Sequence, residues 1–268
     1  MTKTIAVLSD LHANVHALRA ALQVVEARNV GSLVIMGDLL TYGCDPHETL
    51  ALVREAAARW PTTLLSGNHD QLYFDLAGGD VAYYARLPEW LRESVDWTRQ
   101  ALDGLDLKKA FDWCEELVTG EILFAHANPF RYGDWTYLNS DAELGAAQVV
   151  LARRGFAAGI FGHTHRAKIV EYDRGAELPR GTSFELAAQQ NVSRSIDFAH
   201  HHVIANAGSL GQPRNIDKTS SLMFIDPAAG GAAITLVKVE YDVAAHTGAI
   251  RQSSMSENTK QKLSSYFA

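Results

Sequence analysis

Short β-branched runs alternate with helical stripes through the first 70 residues, and each run stops at a polar cluster. Ile5-Ala6-Val7-Leu8 has no polar position, which is the pattern of a strand buried on both faces. Asn14 stands where a side-chain oxygen can cap a helix, and Val15, Leu18, Leu22 and Val25 recur behind it at helical spacing. The pattern then repeats as a strand at Leu33-Val34-Ile35-Met36, a helix from Pro46 to about Arg59, and a strand over 62–65. A β-α-β-α-β start predicts a largely parallel sheet, whose functional crevice lies beyond the carboxyl ends of its strands.

From Tyr73 to Asp112 the chain turns helical and rich in aromatics, including Tyr83, Tyr84, Trp90 and Trp97. This predicts a helical cap at 73–112 inserted within a single domain of 1–268. Strand patterns return at 112–117 and 122–124, a helix is expected over 142–153, and further strands over 157–161, 168–172 and near Val203, Leu222 and Ile234. The segment from Arg174 to His202 has no clean period and reads as a long excursion, and the tail after Gln252 as a short peripheral helix. Two strand-rich halves with helices for both outer faces predict an α/β fold, a four-layer αββα sandwich of two mixed sheets.

A hydrophobic fraction of 47% against 21% charged residues excludes a disordered, collagen-like or coiled-coil chain. The net charge of −7 opposes non-specific attraction to nucleic acid or an anionic membrane, so any anionic substrate must be drawn in locally. No apolar stretch approaches the roughly 20 residues that span a bilayer, and the first residues show no signal-peptide pattern. Cys44 and Cys114 have no CxxC spacing and suggest neither a thiolate zinc site nor a disulfide framework. A cytoplasmic location is expected.

Five polar clusters sit where strands end: Asp10-Leu11-His12, Gly37-Asp38, Gly67-Asn68-His69-Asp70, Ala125-His126 and Gly162-His163-Thr164-His165. Taken singly, each is an ordinary turn. Jointly they place metal-competent side chains on one edge of a sheet. Asp10, His12, Asp38, Asn68, His126, His163 and His165 form a nitrogen and oxygen donor set suited to Mn, Fe, Zn, Ni or Co. Seven donors exceed what one ion accepts, so two divalent ions are expected, with Asp38 placed to bridge them.

The order D-x-H, G-D, G-N-H-D, a lone His and G-H-x-H resembles the calcineurin-like metallophosphoesterases. The resemblance extends to Asp96-Trp97-Thr98-Arg99 and to the run from Asn206 to Arg214, and comes closest to bacterial predicted phosphodiesterases whose last motif reads N-P-G-S-V-G-Q-P-R. It implies that Asp10, His12, Asp38 and His165 hold one ion while Asp38, Asn68, His126 and His163 hold the other, with a bridging hydroxide as nucleophile. It further implies that His69 donates to the leaving group or the phosphoryl oxygens, with Asp70 orienting its ring.

Asn14, at a helix N-terminus, and Arg214 are candidates to reach the substrate phosphate, although Arg214 serves equally well as a structural residue. The expected activity is hydrolysis of small phosphoesters, with nucleotides as the leading class, and the oligomeric state stays open. Where protein phosphatases carry an arginine in G-D-x-x-D-R-G, the chain reads Gly37-Asp38-Leu39-Leu40-Thr41-Tyr42-Gly43, which argues against a protein phosphatase. A non-catalytic scaffold of the same fold is the other alternative, and His69 argues against it. Tyr83, Tyr84, Trp90, Tyr132 and Trp135 either stack on a nucleobase or, as their spacing favours, fill the core. His16, His47, His200, His201, His202 and His246 fit no motif position and are expected at the surface.

Overall fold

The structure, a computed structural model, describes residues 3–175, 180–186 and 191–268. Period-two alternation sends each strand's side chains into two different cores. In β1 (Ile5–Leu8), Ala6 and Leu8 join one apolar cluster while Ile5 and Val7 join another. After α1 (Val15–Arg28), β2 (Ser32–Ile35) divides in the same way, Leu33 and Ile35 to one side and Val34 to the other. The chain continues through α2 (Pro46–Arg59), β3 (Thr62–Leu65), α3 (Asn68–Ala77), a 3₁₀ turn at 84–86, α4 (Glu89–Ala101) and α5 (Leu107–Ala110) to β4 (Trp113–Cys114). Then follow β5 (Glu116–Thr119), β6 (Ile122–Ala125), α6 (Asp141–Arg153), β7 (Ala158–Phe161), β8 (Lys168–Asp173), β9 (Thr182–Glu185), β10 (Val192–Asp197) and β11 (His201–Asn206). The C-terminal part is β12 (Ser220–Ala228), β13 (Gly231–Val239), α7 (Val243–Gln252) and α8 (Glu257–Ser264).

The strands form a seven-stranded sheet in the order β10-β13-β12-β1-β2-β3-β4 and a six-stranded sheet in the order β5-β6-β7-β11-β8-β9. Both are mixed: β1 to β4 run parallel with β12 antiparallel to β1, and β6, β7 and β11 run parallel with β5 and β8 antiparallel at their flanks. Val7, Val34 and Met36 from one sheet meet Phe124, Ile160 and Val203 from the other in the central core. Helices α1 to α4 cover the outer face of the larger sheet, and α6 covers the smaller through Leu144, Ala147 and Leu151. These are the four layers expected from the alternating sequence. Asn14 caps α1 by accepting from Ala17 N–H, and Ser140 with Glu143 forms a capping box on α6, contacts worth about 1 kcal/mol each.

Three expectations change. The stretch 112–117 is not one strand, because β4 belongs to the larger sheet and β5 to the smaller, so the chain changes sheets at Glu115. The excursion expected at 174–202 contains β9 and β10, which are outer edges of their sheets. Their side chains are mostly half-exposed or exposed, Ile196 alone being buried in β10, so little apolar pattern marks them; residues 176–179 and 187–190 lie outside the described residues. Finally, His246 is not at the surface. It lies on α7, only 1% exposed, with its ring 4.8 Å from that of Phe267, and its Nδ1 has no hydrogen-bond partner.

Burial, with a smaller contribution from His16, pushes the His246 imidazole down to about 3. The unfolded chain therefore takes up a proton as the pH falls through about 6.5 while the folded chain refuses it, so stability declines from there towards pH 3. His246→Phe, which keeps an aromatic ring against Phe267, removes this loss. Relative to the parent, the variant should gain about 2 kcal/mol between pH 7.5 and pH 5, measured by urea unfolding. An equal pH dependence of the two proteins would show that His246 protonates freely in the native state.

Candidate metal centre

Strands β1, β2 and β7 each hand over to a turn with left-handed residues. Asp10 and His12 follow β1, Asp38 follows β2, and His163 and His165 follow β7, all with φ between 47° and 63°. Ala13, Thr41 and Tyr42 share this conformation at 49°, 75° and 70°. Such backbone costs of order 1–3 kcal/mol per residue and persists only where the surroundings fix it. Asn68 and His69 open α3, and His126 follows β6. Gly67 must lack a side chain, because a Cβ there would overlap Asp38 Oδ1 and press on the His126 ring.

The seven expected donors converge in two overlapping groups. In one, Asp10, His12, Asp38 and His165 bring their donor atoms within 4.8 Å of one another; in the other, Asp38, His126 and His163 do the same. Asn68 completes the second, its Oδ1 3.2 Å from His126 Nε2, which lies 3.4 Å from Asp38 Oδ2. All seven side chains are buried.

Backbone carbonyls decide which ring nitrogens face inward. The Nδ1–H groups of His12, His126 and His165 lie 3.0, 2.6 and 2.6 Å from the carbonyls of Leu40, Met36 and Gln212, and His163 Nε2 lies 3.0 Å from that of Trp135. Each ring thus presents its other nitrogen to the centre. His12 Nε2 and His165 Nε2 face each other at 3.1 Å, with Asp10 Oδ1 3.1 Å from the latter and lacking any hydrogen-bond partner. Lone pairs so arranged repel unless a cation lies among them, and the donor set fits a divalent metal ion.

The charge states agree. Burial holds His12 and His165 below the ordinary imidazole range, helped at His12 by His165 and at His165 by Arg214. His163 is pushed down to about 3 by burial and by His126. Burial works against ionisation of both aspartates, but His165 beside Asp10 and His126 beside Asp38 outweigh it and keep them ionised. His126 alone goes up, to about 10, because Asp38 overcomes its desolvation; a proton there occupies the place of a metal charge.

The neighbouring expectations are partly corrected. Asp70 does not touch the His69 ring; its carboxylate accepts from the backbone N–H groups of Asp38, Leu39 and Gly67 at 2.6, 3.1 and 2.9 Å, tying two of the strand-end loops together. Burial and the nearby Asp38 push it up to about 7 against those three donors. Asn14 is fully buried and spends its side chain on Ala17 N–H, the Gly211 carbonyl and the Tyr241 hydroxyl, which leaves nothing for a phosphate.

Arg214 lies at the rim of the centre. Its Nη2 donates to Gln212 Oε1, its Nε is unpartnered, and among the described residues no carboxylate forms an ion pair with it. Two residues escaped the sequence reading: Tyr42 OH lies 3.1 Å from His69 Nε2 and Thr41 Oγ1 lies 3.2 Å from His69 Nδ1. Both stand in the run from Gly37 to Gly43, and nothing in its spacing marks either as a partner of His69.

Of the aromatics, Trp90 stacks on Tyr42, Tyr132 bonds Ser66 and Gln71, and Trp135 sets its edge to His126. Tyr84 bonds Asp96 on α4, while Tyr83 stands exposed. The Tyr137 ring, not singled out from sequence, stacks on His163 at 4.0 Å.

Known proteins share this fold. The family model for calcineurin-like phosphoesterase matches residues 3–167, and the chain belongs to that family. An uncharacterized protein of Methanocaldococcus jannaschii, MJ0912, is 29% identical over 245 residues, covering 89% of this chain and 88% of its own. The crystal structure of a metallophosphoesterase from Sphaerobacter thermophilus superposes with a TM-score of 0.73 at 24% identity, covering 98% of this chain and 99% of its own. Hypothetical protein PH1004 from Pyrococcus horikoshii gives 0.72 at 17%, covering 97% of each chain. The chain is a metal-dependent phosphoric ester hydrolase, and among its described residues no helix is long and apolar enough to cross a membrane.

Asp70→Asn replaces an acceptor for three backbone donors with a group that is half donor, so the loops carrying Asp38 and Asn68 should part. Metal affinity should fall about 10–100-fold, the usual cost of losing an outer partner, as read by calorimetric titration with Mn²⁺. Unchanged affinity would mean that Asp70 does not hold the centre together.

Proposed function

We propose that the chain is a two-metal phosphodiesterase of small phosphoesters, with nucleotides as the leading substrate class, and that it belongs with the bacterial phosphodiesterases its last motif resembles. The observation that carries the reading is the shared position of Asp38 between two buried donor groups whose lone pairs need cations. Asp10, His12, Asp38 and His165 would hold one ion; Asp38, Asn68, His126 and His163 would hold the second. When bound, such a pair polarises phosphoryl oxygens and activates water without a covalent nucleophile. A donor set of nitrogen and oxygen without thiolate suits Mn, Fe, Co, Ni or Zn.

The chain's own residues do the rest. Arg214, mostly buried and without a carboxylate partner, offers its guanidinium to a non-bridging phosphate oxygen. Tyr42 stands where a protein phosphatase would carry its phosphate-binding arginine, so that positive charge is missing, which suits the single charge of a diester. His69 lies beside the donors, its ring 5.3 Å from that of His12 and its backbone N–H donating to Asp38 Oδ1 at 2.8 Å, where it can exchange a hydrogen with the departing group.

With Mn²⁺ supplied, bis(p-nitrophenyl) phosphate and cyclic nucleotides should be hydrolysed at least as fast as phosphoproteins. Brisk phosphoprotein turnover without diester activity would overturn the substrate class. Asp38→Asn should cost more in turnover than Asn68→Ala, and beyond the 10–100-fold of an outer-partner loss, with metal content falling in parallel. Two retained ions and near-normal turnover in Asp38→Asn would sink the shared-ligand assignment.

A further inference from the structure

Beside the metal centre, a cavity of about 500 Å³ opens between the start of β8, the end of β9 and the loop after β11, and three cations line it: Arg166, Lys168 and Arg214. Arg166 directly follows His165, whose carbonyl accepts from Arg214 N–H at 3.0 Å, so the cavity adjoins one of the two donor groups. Lys168 Nζ donates to the Leu138 carbonyl at 3.3 Å, next in sequence to the Tyr137 ring that stacks on His163, which ties the cavity to the other group. The cations are unspent. Arg28, Arg59, Arg154 and Arg194 each pair with a carboxylate, whereas among the described residues Arg166, Lys168 and Arg214 form no ion pair. Arg166 is exposed, Lys168 uses one ammonium hydrogen on Leu138, and Arg214 Nε has no partner. Glu185 and Asp217 also line the cavity, Glu185 opposite Lys168 in the β8–β9 pairing, while Asp217 Oδ1 already accepts from Thr219 N–H. Three cations against two carboxylates leave one net positive charge, in a chain whose total is −7. Guanidinium and ammonium groups only donate, so this surplus of free donors calls for an acceptor-only anion such as a phosphate.

We propose that this cavity receives the part of the substrate beyond the scissile phosphate, and that this part carries a second phosphate, held by Arg166 and Lys168. The proposal rests on the phosphodiesterase reading above and narrows its preferred substrates to phosphodiesters with one further anionic group, such as a short oligonucleotide with a terminal phosphate. Arg214, which lines the cavity and bonds the His165 carbonyl, stands between the two phosphates. Ile216, 99% exposed at the cavity, gives the organic link between them an apolar surface. One surplus charge favours one added phosphate, whereas a longer polyanion meets Glu185 and Asp217.

The test separates binding from turnover. Propane-1,3-bisphosphonate and propylphosphonate differ by one anionic group and resist hydrolysis, and calorimetric titration of the full Mn²⁺-loaded chain reads the affinity of each. The bisphosphonate should bind about tenfold more tightly, the worth of one charge-assisted contact. Arg166→Glu should abolish that margin and Arg166→Gln should reduce it; the side chain is exposed, so neither change disturbs the core. Arg19→Glu makes the same charge change at an exposed position on α1 and should leave the margin in place. Chelation of Mn²⁺ by the probe is common to all these proteins and cancels in the comparison. Equal affinities in the parent, a margin that survives Arg166→Glu, or the same loss in Arg19→Glu overturns the inference. A dinucleotide with a terminal phosphate should also be cleaved with a higher kcat/KM than the same dinucleotide without one, and equal values with the phosphate at either end overturn it as well. If no diester is cleaved while the bisphosphonate margin depends on Arg166, the functional reading falls and the anion site stands.

Discussion

Lone pairs that meet inside a protein without a positive charge between them are a standing source of instability, and the architecture at this sheet edge is organised around that fact. His12 and His165 oppose each other at 3.1 Å because carbonyls hold their outer nitrogens. Those carbonyls come from Leu40 and Gln212, in loops after β2 and β11, so the direction of each imidazole is set by a strand other than its own. The loop after β11 is bound in the same way, with the N–H groups of Leu210 and Gly211 donating to the Ser9 and Asp10 carbonyls and Ser209 Oγ donating to the latter. A preformed centre of this type meets its ion without reorganisation, and the conformational cost is met during folding by the packed sheets beneath.

The part of this that could be read in the sequence was the part with a strong local signal. Strands β1, β6 and β7 are buried along their whole length and, with β2 after Ser32, announce themselves as uninterrupted apolar runs ending in donors. Edge strands β9 and β10 are not buried, so hydrophobic pattern had little to report there. The split between β4 and β5 was invisible because one residue, Glu115, separates two strands that belong to different sheets, and only long-range pairing tells them apart. His246 was misplaced because the ring that covers it, Phe267, lies 21 positions later in sequence.

Within the centre, ligand identity was legible and support was not. Asp70 directly follows His69, and adjacency suggested contact, but successive residues on a helix point in different directions and the carboxylate turns back to the loop that carries Asp38. Asn14 was legible as a cap and was a cap; its helix N-terminus is sealed by Gly211 and Tyr241, from segments some 200 residues away. Both misreadings share a cause: polar side chains near a site were assumed to face it, whereas most of their hydrogen bonding is spent on backbone.

The position of β1 has a consequence for how the molecule comes into being. All seven donors lie within the first 165 residues, yet β1 is an interior strand whose second neighbour, β12, is paired through Ile5 with Ile225 and arrives more than 200 residues later. During synthesis the nascent chain therefore holds a full complement of donors on a sheet whose long apolar edge is still open. Contacts of such high contact order form late, and an unpaired interior strand is prone to associate with other chains. Until β12 pairs with β1 and the loop after β11 bonds Ser9, Asp10 and His165, the centre lacks contacts that only the C-terminal part of the chain supplies.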